Sequence, residues 1–308
     1  MLIGSLFVLA AYLSYHDARG QSEARSLERL DAYNREVVGQ QEDRFRRLTA
    51  AHRHATELLL AELRSGGDAG RVRAVEAMVP EHGDGTRRTA PALFDGTRTS
   101  FGYVRGIGGF VGEEPDAERK SLLAAAIRVV HAIGEGARPD LKSMSFFTPA
   151  NTLIMFAPDR PDKLLFYRRD AGPELDFRAS EFVNVTLPAN NPSRITRCTS
   201  LQPILYDDTG QTWTTGCHTP IDIEGVHIGA WGNSLLLDDI LATSHFENYP
   251  GTSVILASAE GRLIHHPDFT KQGATATERY LDLKTAKEPE LQALWKVLRQ
   301  HKGDHFIG

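Results

Sequence analysis

Apolar residues cluster unevenly along this chain, and the spacing changes three times. Residues 2–14 (LIGSLFVLAAYLS) carry no charge, and the first ionic side chains, Asp17 and Arg19, follow only after His16. Such a segment enters lipid without burying a charge, although a full crossing takes roughly 20 apolar residues. Residues 1–15 therefore read as a transmembrane anchor whose true start lies upstream of Met1, with a cleaved secretory signal as the alternative. A signal would want a basic leader and a small-residue cleavage site; the chain begins Met1-Leu2-Ile3, and Ala10-Ala11-Tyr12 is a poor site.

Over residues 16–66 the pattern becomes helical. Leu27, Leu30, Tyr33, Val37, Phe45, Leu48, Ala51, Ala55, Leu58 and Leu63 recur at mixed three- and four-residue spacing, with charged residues between them. This predicts one long amphipathic stalk helix ending at Gly66-Gly67. From 21 to 65 it would run roughly 65 Å at 1.5 Å per residue, longer than one small domain covers. It is expected to lie along two stacked domains or to pair with a second copy in a homodimer; a surface helix without a signalling role is the plain alternative.

Residues 68–115 are rich in Gly, Pro and Arg and read as loops around a short helix and a Gly-rich strand near 101–110. A helix over 118–133 follows, with Leu122, Leu123, Ala126, Ile127 and Val130 on one face. From 141 onward the pattern is antiparallel sheet. Strands at 144–147 and 152–156 flank a turn at 148–151. A hairpin has arms at 198–206 and 211–218 about Asp207-Asp208-Thr209-Gly210. Strands 221–223 and 226–231 meet at Glu224-Gly225, and a helix over 235–241 closes the unit. The fold class is α+β.

Composition narrows the function. The 308 residues are 41% hydrophobic and 24% charged, enough for about two domains. A net charge of -5, with Arg interleaved among Glu and Asp along the stalk, excludes a nucleic-acid partner, since no basic stripe is present to displace counterions. Gly106, Gly108, Gly109 and Gly112 fit neither dinucleotide nor phosphate-loop spacing, and hydrolase motifs such as GxSxG and HExxH do not occur. The two cysteines, Cys198 and Cys217, stand on opposite arms of the predicted hairpin. Facing residues there lie within disulfide reach, and an oxidising compartment would favour the bond over two unlinked core thiols. Cys198, Cys217 and His218 lack the paired-ligand spacing of zinc, and His265-His266 would point to opposite faces of a strand; no metal is expected.

Several of these segments resemble the double Cache (PAS-like) family of extracytoplasmic sensors found in bacterial histidine kinases, diguanylate cyclases and chemoreceptors. Residues 200–210 (SLQPILYDDTG) are similar to its "sxpyxdxxtG" hairpin, and Thr219-Pro220-Ile221 with Gly225-Val226-His227-Ile228-Gly229 to the strands that follow. Residues 253–268 (SVILASAEGRLIHHPD) resemble the opening of the membrane-proximal domain. The likeness covers a little over half the chain. It implies a membrane-distal sensor domain at 67–245 and the start of a proximal domain at 246–308, with further strands, a second span and an output module expected beyond Gly308.

In the amino-acid-sensing branch an Arg followed by Trp-Tyr clamps the carboxylate and an Asp holds the amine. Here Phe182-Val183-Asn184-Val185 and Asn233 stand in the corresponding regions, which disfavours amino acids, because an amide does not neutralise an ammonium. Arg168 and Arg169, beside Tyr167, are candidates for holding an organic anion, or are surface charges. Trp213 and Trp231 are candidates for a pocket floor, or are core.

The expectation is a periplasmic ligand-sensing region anchored in the bacterial inner membrane. Its parent is expected to be a sensor histidine kinase of a two-component system, with a response regulator as partner and ATP and Mg used only by a transmitter absent from these residues. A diguanylate cyclase or chemoreceptor sensor is the near alternative, and a secreted periplasmic binding protein the alternative of another class.

Overall fold

The periodic stalk forms one unbroken helix in the computed structural model, which describes residues 2–65, 67–204, 212–243, 255–257, 261, 263–265 and 283–300. This helix, α1, spans Leu2–Arg64. Among the described residues no helix is long and apolar enough to cross a membrane. The apolar run read as an anchor forms the start of α1 and ends at Ser14, and Asp17 and Arg19 follow within the next turn and a half. The chain divides into two compact units, Arg44–Thr243 and Met1–Asp43 with Ser244–Gly308.

In the Arg44–Thr243 unit, α2 (Asp68–Met78), β1 (Arg87–Arg88), α3 (Pro91–Asp95), β2 (Thr97–Thr99), β3 (Gly102–Val104) and β4 (Ile107–Val111) precede α4 (Ala117–Gly136). Next come β5 (Met144–Thr148), β6 (Thr152–Phe156), a π-helical turn (Phe166–Asp170), α5 (Glu181–Asn184), β7 (Arg197–Cys198) and β8 (Gln202–Pro203). The long strands β9 (Trp213–Ile223) and β10 (Val226–Leu236) and the helix α6 (Leu237–Thr243) complete it. The main sheet is antiparallel in the order β1-β4-β6-β5-β10-β9-β7, with β8 also on β9.

Strand alternation gives this sheet two buried faces. On one, Phe146, Ile154, Phe156 and Trp231 pack with Ala55 and Leu59 of α1, Val75 of α2 and Ala126 and Val130 of α4. On the other, Phe110, Phe147, Leu153 and Ala230 meet Leu164, Tyr167, Phe177 and Val183. Helix α4 starts where Asp116 accepts the backbone N–H of Arg119 at 2.8 Å.

The strand boundaries differ from the expected ones in four places, the first being β10, which runs to Leu236 and takes up the start of the helix expected at 235. The Gly-rich strand is broken into β3 and β4, with Gly106 at φ +67 between them. The arm expected at 198–206 is two short strands, and the turn at 207–210 lies outside the described residues. Strands expected at 211–218 and 221–223 are one strand, β9, running through Pro220. Strand β7 pairs only with Cys217 and His218, so β9 has an open edge at Pro220 where a missing N–H is tolerated.

In the other unit, β11 (Leu256–Ala257) pairs with β12 (Leu263–His265), and α7 spans Pro289–Gln300. Leu283, Ala286 and Leu291 form a small core with Ile255, Ala257, Leu294 and Trp295 beside it. The remainder of the proximal-domain motif, including His266, lies outside the described residues.

Candidate functional site

The sheet face turned away from α1 is covered by the chain between β6 and β7, and two side chains fasten that cover. Arg88 follows Arg87 on β1, so the two point to opposite faces. Arg87 meets Glu76 and Glu114 on the helix side, whereas Arg88 lies 4.2 Å over the Phe110 ring and donates to the carbonyls of Tyr167 (3.2 Å) and Ala171 (2.8 Å). Asn151, in the β5–β6 turn at φ 51, donates to Leu175 O at 2.7 Å and accepts from Phe177 N at 2.8 Å. Phe177 is thereby pressed edge-on against Phe110, with centroids 5.7 Å apart.

From Phe177 a row of rings crosses the face: Phe182 at 5.7 Å, then Phe147 at 5.1 Å from Phe182, and finally His218 at 5.4 Å from Phe147 and 5.7 Å from Phe182. His218 lies against the backbone of β9 and β10. A Cβ on Gly216 would fall 2.3 Å from its Nε2, and one on Gly232 2.5 Å from its Nδ1. Only glycine at these two positions leaves room for the imidazole.

His218 is 6% exposed, and neither ring nitrogen has a hydrogen-bond partner among the described residues. Burial, with a smaller contribution from His52, lowers its pKa to about 3, so the ring is neutral and carries one donor and one acceptor. Leaving such groups unmade costs about 1–3 kcal/mol each. The face therefore offers an apolar aromatic wall ending in an uncharged group with unused hydrogen-bonding capacity.

The residues singled out from the sequence do not converge. Tyr167 is on this face, with its hydroxyl pKa raised to about 12 by burial. Arg168 is half-buried, its guanidinium 5.2 Å over Phe94 and its Nη1 donating to Lys163 O at 2.8 Å; its Nε is buried with no partner among the described residues. It packs beside Gly108 of β4, four strands from β9 in the sheet order, or roughly 19 Å at the usual strand spacing. Arg169 is exposed and paired with Asp170 at 2.6 Å. Trp213 is half-buried at the start of β9, opposite Pro203. Trp231 and Asn233 belong to the α1 face. Trp231 is fully buried, packs 5.2 Å from Phe146 and donates Nε1–H to Thr56 at 2.9 Å. Asn233 accepts from His52 and donates to Ser143 O. Cys198 and Cys217 form a disulfide joining β7 to β9.

Sequence reasoning passed over His218, Phe147 and Phe177 as site residues. The signal was local: in a strand, Gly216 and His218 share a face, and a glycine two residues before a histidine leaves a berth for its ring. The second glycine, Gly232, becomes visible only with the register of β10 on β9.

No protein-family profile matches the chain, and no curated protein matches it. Several solved structures are similar to it. One is the extracellular domain assigned to histidine kinase vpHK1S-Z8, at 17% identity and TM-score 0.40, covering 60% of this chain and 66% of that one. The ligand-binding domain of Pseudomonas fluorescens chemoreceptor CtaA, solved with L-valine, is similar at 19% identity and TM-score 0.34, covering 51% and 63%. A domain of a sensory box/GGDEF-family protein of Vibrio parahaemolyticus is similar at 16% identity and TM-score 0.39, covering 64% and 76%. The chain spans just under two thirds of the length of the first two.

Proposed function

We propose that residues 44–243 are the ligand-sensing part of a receptor, and that the ligand is a small molecule held on the sheet face around His218. The observation that carries this reading is the neutral, buried imidazole with both nitrogens unpaired at the end of an aromatic row. A buried polar group without a partner wants a specific explanation, and a ligand supplying one acceptor and one donor is the simplest.

The chemistry of the face favours an uncharged or weakly polar ligand with a flat apolar part. The rings of Phe147, Phe177, Phe182 and His218 are all uncharged, so the row itself offers no counter-charge to a free ammonium or carboxylate. Organic anions fit the separate position of Arg168 instead. The disulfide supports an oxidising, periplasmic setting.

In the wider scheme, residues 1–15 anchor the chain in the bacterial inner membrane and 16–66 form the stalk of a homodimer. Residues 67–245 are the membrane-distal Cache domain and 246–308 begin the proximal one. The parent is a sensor histidine kinase, its ATP and Mg confined to a transmitter that acts on a response regulator. A thermal-shift screen of the full chain against organic acids, amines, sugars, amino acids and neutral aromatics tests the sensing reading. A stabilising neutral compound supports it, and uniform silence removes it.

A further inference from the structure

The sheet face opposite His218 carries a line of polar contacts to α1 that runs from an exposed end at Thr49 to the buried His52 and Asn233, within an otherwise apolar interface. Thr49, His52 and Thr56 fall on one stripe of the helix, at spacings of three and four residues, flanked by Leu48, Ala55 and Leu59, all fully buried. His52 itself has no exposed surface. Its Nε2 is 2.5 Å from Asn233 Oδ1 on β10, and its Nδ1 is 2.7 Å from Thr219 Oγ1 on β9. Thr219 is 2.7 Å from Thr196 Oγ1, which accepts from Thr49 at 3.3 Å. Thr56 accepts from Trp231 and donates to His52 O.

The direction of every bond follows from one end. Asn233 spends its amide N–H on Ser143 O, so its Oδ1 accepts and His52 Nε2 carries the proton. Burial keeps His52 neutral, so Nδ1 is an acceptor and Thr219 must donate to it. Thr219 in turn accepts from Thr196, and Thr196 from Thr49. A shift of α1 by one residue, about 1.5 Å along and 100° around, breaks the contacts that the helix itself makes, those of Thr49 with Thr196, of His52 with Asn233 and Thr219, and of Thr56 with Trp231, whereas the apolar neighbours would simply repack.

We propose that this seam, with His52 at its centre, is the element through which α1 reads occupancy of the His218 face. The inference rests on the ligand-sensing reading above and deepens it by naming how that site is coupled to the helix. His218 and Thr219 are consecutive on β9 and face opposite ways. Gly232 and Asn233 are likewise consecutive on β10. Because Gly216 and Gly232 put no side chain under the imidazole, a ligand that moves His218 acts directly on the two backbones whose next residues hold His52. Buried polar groups of this kind fix register more than they add stability.

Histidine 15N resonances of the full chain give the test, with His52 assigned through His52→Gln. The expected wild-type signature is a neutral ring protonated on Nε2. His218→Ala and the milder His218→Gln, acting only on the far face, should both shift the His52 signals, as should Thr219→Val. His54, exposed two residues along the same helix, should stay fixed. A His52 signal unmoved by both His218 variants, in protein whose circular dichroism is native, overturns the coupling. A ligand that binds the wild type without moving His52 overturns it as well while leaving the sensing reading intact. A silent compound screen would remove the sensing reading but not a coupling measured this way.

Discussion

His52 and Asn233, 181 residues apart, share a buried hydrogen bond of 2.5 Å that ties α1 to β10. Asn233 spends its amide N–H on Ser143 O, so its Oδ1 is the atom that takes the proton of His52. Replacing His52 by Leu therefore leaves the buried Asn233 Oδ1 without its partner, while the half-buried Thr219 keeps Thr196. The expected loss is about 1–3 kcal/mol, the cost of one unmade buried group, measured as a lower urea midpoint at unchanged slope. A loss under about 0.5 kcal/mol would mean that the seam contributes nothing.

The two buried histidines make the fold sensitive to mild acid. Burial holds His52 near pKa 4 and His218 near 3, whereas the unfolded chain takes up these protons near 6.5. The unfolded state thus binds more protons below pH 6.5, and stability falls with pH. The contribution is whole above 6.5 and is lost as pH drops through 4 for His52 and 3 for His218. Each group contributes a slope of about 1.4 kcal/mol per pH unit inside its window. Asp84 and Glu114, held low by hydrogen bonds from Thr86 and from Arg87 respectively, add their own loss only below the ordinary carboxylate range. Unfolding between pH 6.5 and 5 should be steeper in the wild type than in His218→Phe; identical slopes would contradict a neutral buried His218.

Gly216→Ala places a methyl 2.3 Å from His218 Nε2. Overpacking of this kind costs about 1–3 kcal/mol. Gly83→Ala, where a Cβ meets nothing within 4 Å, is the matched control and should change stability by under about 0.5 kcal/mol. Equal thermal midpoints for the two variants would mean that the imidazole has room to move aside.

The disulfide closes a loop of sequence separation 19 between the edge strand β7 and β9. Loops of this size contribute about 2–4 kcal/mol. Cys198→Ala with Cys217→Ala should lower the denaturation midpoint accordingly, and dithiothreitol should do the same to the wild type while leaving the double variant unchanged.

The sequence carried the architecture further than the site. Periodicity and turn residues placed α1, α4, β5, β6 and the first part of β10: the helices repeat near 3.6 residues, whereas β5 and β6, covered on both faces, read as short apolar runs between turn residues. They failed where a tertiary partner sets the boundary: Pro220 read as a break, yet β9 passes through it because β7 ends just before. The candidate site was harder. Trp231 read as a pocket floor or as core and Asn233 as a ligand group; register turns both toward α1, where Trp231 is core and Thr56 and His52 complete them. His52 was concealed within the apolar stripe of the stalk, and its value lies in Thr219 and Asn233, more than 160 residues away. His218 carries no motif; two glycines on different strands, Phe147 of β5 and Phe182 of α5 make its environment.

Calorimetric titration of the full chain with the strongest neutral compound from the thermal-shift screen, in wild type, His218→Ala and Arg169→Ala, tests the ligand site most directly. The account predicts that affinity falls at least tenfold in His218→Ala and is unchanged in Arg169→Ala. Full affinity in His218→Ala, or a loss confined to Arg169→Ala, would place the ligand elsewhere and contradict it.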